Sequence, residues 1–215
     1  MNIENIRETM IKSKVKLYEG LTDEEFDKIE KFYSIKFPIS LRTLYKSFLP
    51  EFYNWRDFSE ENVEKIKNKL NWPIEGILFD IEMNGFWKKC FGKWTDDINE
   101  NKKKALEYLK NADNEQVPKL IPVYSHRYVP CYPDIMDVPV ISVYQTDIIY
   151  YGYNLENYFQ KELYPIKKNS LEEYLKSIIE ANSIAKEPAD LHYKEIPFWT
   201  EIINCRFEDI DVDDE

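Results

Sequence analysis

The segment from Leu120 to Gly152 constrains the fold of this chain more than any other. It is a run of β-branched and aromatic residues interrupted by four prolines and closed by Gly152. Such residues favour strands, while prolines are excluded from strand interiors and therefore divide the run. The segment predicts several consecutive short strands. It contains no residue spacing typical of an active site.

Two capped helices are predicted ahead of these strands. Thr22 and Glu25 have the three-residue spacing of a capping box, and this first helix is predicted to end near residue 34. Pro38 suits the start of a second helix, and Pro50 ends it. The apolar spacing predicts an inward face on each helix, formed by Phe26, Ile29, Tyr33, Leu41, Leu44, Tyr45 and Phe48. The fold class that follows is α+β, with this N-terminal helix pair packed on a central, mostly antiparallel sheet and with additional flanking helices.

The remaining segments give a coarse map of the chain. We predict a helix within 1–19, a third helix over 59–70, an extended element over 72–81, a polar helix over 97–111, helices over 154–163 and 171–181, and an apolar closing element over 196–203. In the extended element, Pro73 is expected at the entry and Gly76 at a loosened position. The predicted organisation is an N-terminal helical extension (1–19), one main domain (20–203) and an acidic tail (204–215).

The charge balance limits the kinds of partner. The 215 residues carry 29 basic and 40 acidic side chains, a net charge of −11, and six of the acids lie in the last eight residues. We expect no direct binding of nucleic acid, because phosphate contacts need Lys and Arg. A basic protein is a better-matched partner, although an acidic balance also simply aids solubility.

Cysteine usage and hydropathy indicate a compartment. Cys90, Cys131 and Cys205 have neither zinc-ligand nor CxxC spacing, which favours reduced structural thiols. The N-terminus has no apolar signal region, and no window is long and apolar enough for a membrane span. We expect a cytoplasmic protein without a metal or cofactor and without membrane association.

Catalytic chemistry has few candidate residues. His126 could act as a general base with Asp80, Glu82 or Asp147, but a hydrogen-bonded, half-buried histidine is the interpretation we favour, because no catalytic motif surrounds it. On a strand, Asp80 and Glu82 would share one face and could form an acid/base pair or hold a metal. We favour the solvent face of a half-buried strand, and so predict no catalytic and no metal-binding residue.

A group of tyrosines crowds the strand region. Tyrosine offers a rigid amphipathic contact area and is enriched at binding hot spots, but it is also a good sheet former. Both interpretations stay open for Tyr124, Tyr128, Tyr132, Tyr144, Tyr150, Tyr151 and Tyr153.

Several segments, taken in order, resemble the SMI1/KNR4 family of the SUKH superfamily. LTDEEFDKIEKFYSIKFPISLRTLYKSF (21–48) is similar to that family's opening helix, Phe-Pro turn and second helix. WPIEGILFDIEMNGFWKKCFGKW (72–94), LIPVYSHRY (120–128), PVISVYQTDIIYYGYNLENYF (139–159) and IPFWTEI (196–202) resemble segments of a Firmicutes immunity-protein-like subgroup. One departure is that residues 49–52, LPEF, replace the Asn-Gly that often follows the second helix.

The resemblance implies an α+β domain that binds proteins and lacks catalytic residues. Many bacterial members neutralise toxins, frequently nucleases, while fungal relatives act as regulators or scaffolds in cell-wall synthesis and signalling. We therefore expect an immunity protein that binds a cognate, basic toxin stoichiometrically, with a regulatory scaffold as the alternative and an enzyme using Asp80, Glu82 and His126 as a third hypothesis. The candidate partner-binding residues are Asp80, Glu82, Tyr128, Asp147 and Tyr150. Neutralising Asp80 and Glu82 is expected to slow association more than it lowers stability.

Overall fold

The helices and strands follow one another in a mixed α+β order. A computed structural model describes residues 1–164, 170–184 and 192–204. The elements are α1 (Ile3–Lys12), β1 (Leu17–Tyr18), α2 (Asp23–Tyr33), α3 (Ile39–Ser47), β2 (Leu49–Pro50), α4 (Glu60–Asn84), a 3-10 turn (Lys89–Phe91), α5 (Ile98–Asn111), β3 (Leu120–Tyr124), β4 (Arg127–Pro130), β5 (Val140–Tyr144), β6 (Asp147–Gly152), α6 (Leu155–Glu162), α7 (Leu171–Ile184) and α8 (Trp199–Asn204). The predicted α+β class is confirmed. Residues 205–215, which include Cys205 and all of the predicted acidic tail except Asn204, lie outside the described residues.

The helix pair α2–α3 forms as its sequence predicts. The Thr22 hydroxyl accepts a hydrogen bond from the Glu25 N–H (3.2 Å), and the Glu25 carboxylate accepts one from the Thr22 N–H (2.8 Å), so the capping box is complete. α2 ends at Ser34 with a left-handed φ of 53°. The predicted inward residues of both helices are buried in one core: Phe26, Ile29, Tyr33, Leu41, Leu44, Tyr45 and Phe48.

A buried carboxylate joins these two helices. Glu30 of α2 is 4% exposed, and its oxygens accept hydrogen bonds from the Phe37 N–H (3.1 Å), the Lys36 ammonium (2.7 Å) and the Arg42 guanidinium (3.2 Å). A buried charge is tolerated only when it is paired and hydrogen bonded, and here both conditions are met. The Glu30 network fixes the turn between α2 and α3, a role that the helical spacing did not reveal.

The N-terminal 19 residues pack against the rest of the chain. Ile6 and Met10 of α1 are buried in the same core as the helix pair, and the Asn2 N–H and Asn5 side chain donate to the Glu156 carboxylate of α6. β1 then pairs antiparallel with β2, so Leu49 and Pro50 take part in a two-stranded sheet.

The strand-rich segment folds as a four-stranded antiparallel meander in the order β3-β4-β5-β6. Successive residues alternate between two cores, as the pleat of a strand requires. Ile121, Val123, Val129 and Val140 face the core that contains α1, α2 and α3, whereas Leu120, Tyr128, Ile141, Val143 and Ile148 face the core that contains parts of α4, α5 and α8. The sheet is therefore the middle layer between two helical layers.

The prediction of an extended element over 72–81 is wrong, because these residues lie in the second half of α4. The helix continues through Pro73 to Asn84. Ile66, Pro73, Ile77 and Ile81 are buried on one side of α4, and their spacing of seven, four and four residues is helical. Packing of this face outweighs the hydrogen bond that proline removes from the helix interior.

The closing elements match their predictions. Asp97 caps α5 and Asn154 caps α6 through side-chain hydrogen bonds to backbone N–H groups. Trp199 of α8 is buried, and its indole N–H donates to the Pro118 carbonyl (2.8 Å).

Within the described ranges, no helix has the length and apolar character needed to cross a membrane.

Candidate functional site

The outer side of α4 carries a stripe of large apolar side chains. Trp72, Phe79 and Met83 are 37%, 46% and 62% exposed. With 3.6 residues per turn, positions seven and eleven residues apart return to nearly the same side of a helix. The three side chains therefore lie in one stripe along α4, opposite the buried Ile77 and Ile81. Large apolar patches of this kind on a protein surface mark interaction sites.

The tip of the β5–β6 hairpin holds this part of α4 in place through three contacts at four-residue intervals. The Trp72 indole N–H donates to the Val143 carbonyl (3.3 Å). One turn later, Gly76 lies against the hairpin backbone, where an added Cβ would sit 2.7 Å from the Cα of Gln145. A side chain at position 76 would force the two elements apart, so glycine is required here for close packing rather than for a loosened strand.

The third contact is made by Asp80. Its carboxylate accepts hydrogen bonds from the Thr146 N–H (2.8 Å), the Thr146 hydroxyl (2.5 Å) and the Asn84 side-chain amide (2.6 Å). The Asp80 side chain is 3% exposed. Asp80 therefore fixes the hairpin tip to the helix and is not available as a surface contact, which corrects its assignment to the binding surface.

Glu82 and Asp147 do lie on the surface. Glu82 is exposed on α4 and forms an ion pair with Lys102 of α5. Asp147 is exposed at the start of β6, directly opposite Tyr144 across the hairpin. Asp80 and Glu82 do not share one face, because they lie on a helix and not on a strand. Side chains two positions apart on a helix point in directions about 200° apart.

Both tyrosines assigned to the binding surface form hydrogen bonds within the protein. Tyr128 is fully buried, and its hydroxyl donates to the Lys69 carbonyl of α4 (3.0 Å), which corrects its assignment to the binding surface. Burial raises the pKa of Tyr128 well above its usual value. Tyr150 is half-buried, shares a hydrogen bond with the Thr200 hydroxyl (2.6 Å) and stacks on Tyr193 at 4.3 Å. Tyr150 therefore connects the sheet to the segment before α8.

His126 lies in the turn between β3 and β4 as a half-buried side chain. Its Nδ1 is 3.1 Å from the Ser125 hydroxyl, and its ring meets Tyr144 edge-on at 6.5 Å. Partial burial, followed by the nearby Arg127 charge, lowers the pKa of His126. In the described part of the chain, neither Asp80, Glu82 nor Asp147 is hydrogen bonded to this ring, so the structure does not assemble the acid/base pair considered for it.

The exposed side of the second half of α4 forms a surface that we call the aromatic–acidic surface. Glu75, exposed between Trp72 and Phe79, belongs to it. Beside it, an open depression of about 690 Å³ runs along the first half of α4, with Trp72 and Glu75 in its lining. The members of the aromatic–acidic surface are Trp72, Glu75, Phe79, Glu82 and Met83. Tyr144 and Asp147 are not members, because they alternate with Val143 and Ile148, which face α4, and so project from the other face of the sheet.

Sequence reasoning missed the apolar members of this surface. Their signal was the spacing of positions 72, 79 and 83, which is meaningful only on a helix. On a strand, Phe79 would share the face of Ile77 and Ile81, whereas on α4 it lies on the opposite side from these two buried residues.

The two cysteines in the described part of the chain, Cys90 and Cys131, do not add a metal centre. Cys90 is exposed and Cys131 is buried, and both are free thiols. The Cys131 thiol bonds the backbone of Lys36 through both its N–H (2.9 Å) and its carbonyl (2.8 Å), and burial raises its pKa. Over residues 1–164, 170–184 and 192–204, no three His, Cys, Asp or Glu side chains are grouped to hold a metal ion.

A second exposed apolar stripe lies on α7. Leu171, Leu175 and Ile179 are 72%, 50% and 68% exposed and follow one another at four-residue intervals. The opposite side of α7 packs through Ser177 and Ala181. The two stripes lie on separate helices, and only the one on α4 is held by a hairpin through the three contacts described above.

Comparison of the chain with models of protein families, with curated proteins and with solved structures finds no match.

Proposed function

We propose that this chain is a non-catalytic protein-binding module, an immunity protein of the SMI1/KNR4 type that neutralises a cognate toxin by stoichiometric binding. The observation that carries the proposal is the stripe of Trp72, Phe79 and Met83, exposed on a helix and bordered by carboxylates. The resemblance of the ordered segments from 21 to 202 to that family supports the same conclusion. We place the protein in the cytoplasm, where its free thiols stay reduced.

The chemistry of the stripe suits a protein interface. Binding energy concentrates in a few aromatic and other large side chains near the centre of an interface, while charged groups at the rim steer the encounter. Trp72 and Phe79 supply the aromatic area, and Met83 supplies a thioether that adapts to an irregular partner surface. The neighbouring carboxylates of Glu75 and Glu82 on α4 supply the rim.

The negative charge also suits a toxin that acts on nucleic acid. A nuclease presents a basic cleft to phosphate groups, and an acidic protein surface can occupy such a cleft in their place. The net charge of −11 brings such a partner together with this chain rapidly at low salt.

The test is neutralisation of a toxin domain encoded beside this chain. Co-expression is expected to restore growth of cells that produce the toxin, and the two proteins are expected to co-purify in a 1:1 complex. Phe79→Ala with Met83→Ala is expected to weaken both protection and complex formation. The matched control is Leu175→Ala with Ile179→Ala, which removes similarly exposed side chains from α7. Failure of every neighbouring toxin domain to bind contradicts the proposal.

A regulatory or scaffold protein of the same family is the second candidate. The observation that favours it is the α7 stripe, because two apolar stripes on separate helices can bind two different partners. A scaffold is expected to hold both partners at once without protecting cells against a toxin. Separate loss of one partner in the α4 variant and of the other in the α7 variant identifies this function.

A further inference from the structure

We propose that residues 205–215 bind a loop of this same chain, residues 85–94, which we call the basic loop, through the ammonium groups of Lys89 and Lys93. The inference is carried by three observations: the opposite charges of the two segments, an ion pair that already joins α8 to the loop, and the length of chain that follows α8. The contact lies within one chain and does not require the proposed function.

The basic loop is positively charged although the protein as a whole is acidic. Residues 83–95 contain three lysines and neither Asp nor Glu. Lys88 is largely covered and forms an ion pair with Glu201 of α8 (2.7 Å). Lys89 and Lys93 are exposed, and among the described residues neither of them has an ion-pair partner. Two ammonium groups of the loop can therefore accept carboxylates as partners.

Hydrogen bonds hold the backbone of the basic loop in place. The Trp87 indole N–H donates to the Gly92 carbonyl (2.9 Å), and the Lys104 ammonium of α5 donates to the Lys93 carbonyl (3.1 Å). A binding surface whose backbone is already fixed loses little conformational entropy when a segment binds to it.

Helix α8 brings residues 205–215 to the basic loop. The ion pair between Glu201 and Lys88 fixes α8 against the loop. Asn204, the last described residue, follows Glu201 by three positions, a rise of about 4.5 Å along the helix. Residues 205–215 therefore begin beside the loop. Eleven extended residues span at most about 36 Å, which is ample to reach Lys89 and Lys93.

The composition of residues 205–215 complements the basic loop. They contain six acids and one arginine, a net charge of −5, and three apolar side chains lie among the acids: Phe207, Ile210 and Val212. Trp94, at the end of the loop, is 39% exposed and offers apolar area next to Lys93. Carboxylates and apolar side chains on one segment thus match ammonium groups and an aromatic ring on the other.

Tethering selects this segment over a separate acidic molecule. Exposed ion pairs are individually weak, so an acidic peptide in solution gains little from two lysines. A segment joined to α8 meets the loop at an effective concentration on the order of millimolar. Once bound, it covers Lys89 and Lys93 and keeps other acidic molecules away from the loop.

Paramagnetic broadening of tryptophan signals in the full chain tests this contact. A nitroxide is attached at Val212→Cys, which leaves all six acids in place. The same chain carries Cys90→Ser and Cys205→Ser, and Cys131 is buried and so is not labelled.

The indole N–H signals of Trp94 and Trp72 give the readout. At low salt the nitroxide is expected to broaden the Trp94 signal and to leave the Trp72 signal sharp, because Trp72 precedes Gly85 by about 20 Å along α4. Salt at about 1 M, where the screening length is about 3 Å, is expected to restore the Trp94 signal.

Matched lysine variants test whether charge holds the segment. Lys89→Gln with Lys93→Gln is expected to restore most of the Trp94 signal at low salt. Lys31→Gln with Lys65→Gln removes the same charge from exposed lysines on α2 and on the first half of α4, and is expected to leave the broadening unchanged. Circular dichroism checks that all four substitutions preserve the fold.

Three results overturn the inference. The first is a Trp94 signal that the nitroxide leaves unchanged at low salt, or that is broadened no more than the Trp72 signal. The second is equal broadening with and without Lys89 and Lys93, because charge then does not hold the segment. The third is broadening in a mixture of isotope-labelled chain without nitroxide and unlabelled chain that carries it, because the segment then binds a second copy.

Discussion

Removal of the Asp80 carboxylate is expected to destabilise the protein strongly, although Asp80 is one of the acids that the sequence assigned to a partner surface. Asp80→Ala deletes the acceptor of two hydrogen bonds from Thr146 and one from Asn84. Asn84 is exposed and can bond water instead, so the two Thr146 bonds dominate the cost. Each hydrogen bond to a charged group contributes about 1.5–3 kcal/mol to folding. Alanine favours the helix by about 0.5 kcal/mol. The expected net loss is therefore about 3–5 kcal/mol in the free energy of unfolding.

Urea unfolding followed by circular dichroism measures this loss. With a slope of about 2 kcal/mol per molar urea, the midpoint is expected to fall by roughly 1.5–2.5 M. Glu82→Gln is the matched control, because Glu82 is an exposed acid on the same helix and its ion pair with Lys102 contributes about 0–1 kcal/mol. Equal midpoints for the Asp80→Ala and Glu82→Gln variants would refute the buried contact between α4 and the hairpin.

Three further changes test the packing of the fold, each by urea or thermal unfolding. Gly76→Ala inserts a methyl group against the hairpin backbone and is expected to cost about 1–3 kcal/mol, whereas an unchanged midpoint would contradict that close approach. Trp199→Ala removes a buried ring and is expected to cost about 3–5 kcal/mol, and wild-type stability would place Trp199 outside the core. Glu25→Gln tests a pH effect: the neighbouring Arg56 lowers the pKa of Glu25, so the wild-type advantage is present above about pH 4.5 and is lost as the pH falls through the lowered pKa. A difference from the wild type that does not change with pH would contradict the ion pair.

Local signals predicted the elements whose ends or faces are set by neighbouring residues. The capping box of Thr22 and Glu25 begins α2, and alternating apolar residues of 120–152 produce the meander, because each needs only short-range hydrogen bonds or the strand period. The prediction for 72–81 failed because its structure depends on a distant part of the chain. Its alternation of Ile77, Asp80, Ile81 and Glu82 fits a strand locally, and only the distant hairpin explains why a buried glycine and aspartate belong on a helix.

The candidate site was partly predictable for a similar reason. The exposure of Glu82 and Asp147 follows from their charge. The burial of Tyr128 depends on its hydrogen bond to the Lys69 carbonyl, 59 residues away in sequence, which no local pattern contains. The stripe of Trp72, Phe79 and Met83 was not predicted, because the two-residue period of a strand was applied to a segment that is helical. The burial of Tyr128 and the stripe on α4 therefore depend on long-range contacts between α4 and the sheet, which local sequence patterns do not contain.

The most direct test of the account is calorimetric titration of the wild-type chain and its Phe79→Ala, Met83→Ala variant against a purified toxin domain encoded beside it. We expect a 1:1 complex for the wild type and binding weakened by about 30-fold or more for the variant, with unchanged thermal unfolding of the free protein. A complex of equal affinity in both proteins would contradict the assignment of the aromatic–acidic surface as the binding site, and the absence of any complex would contradict the immunity function itself.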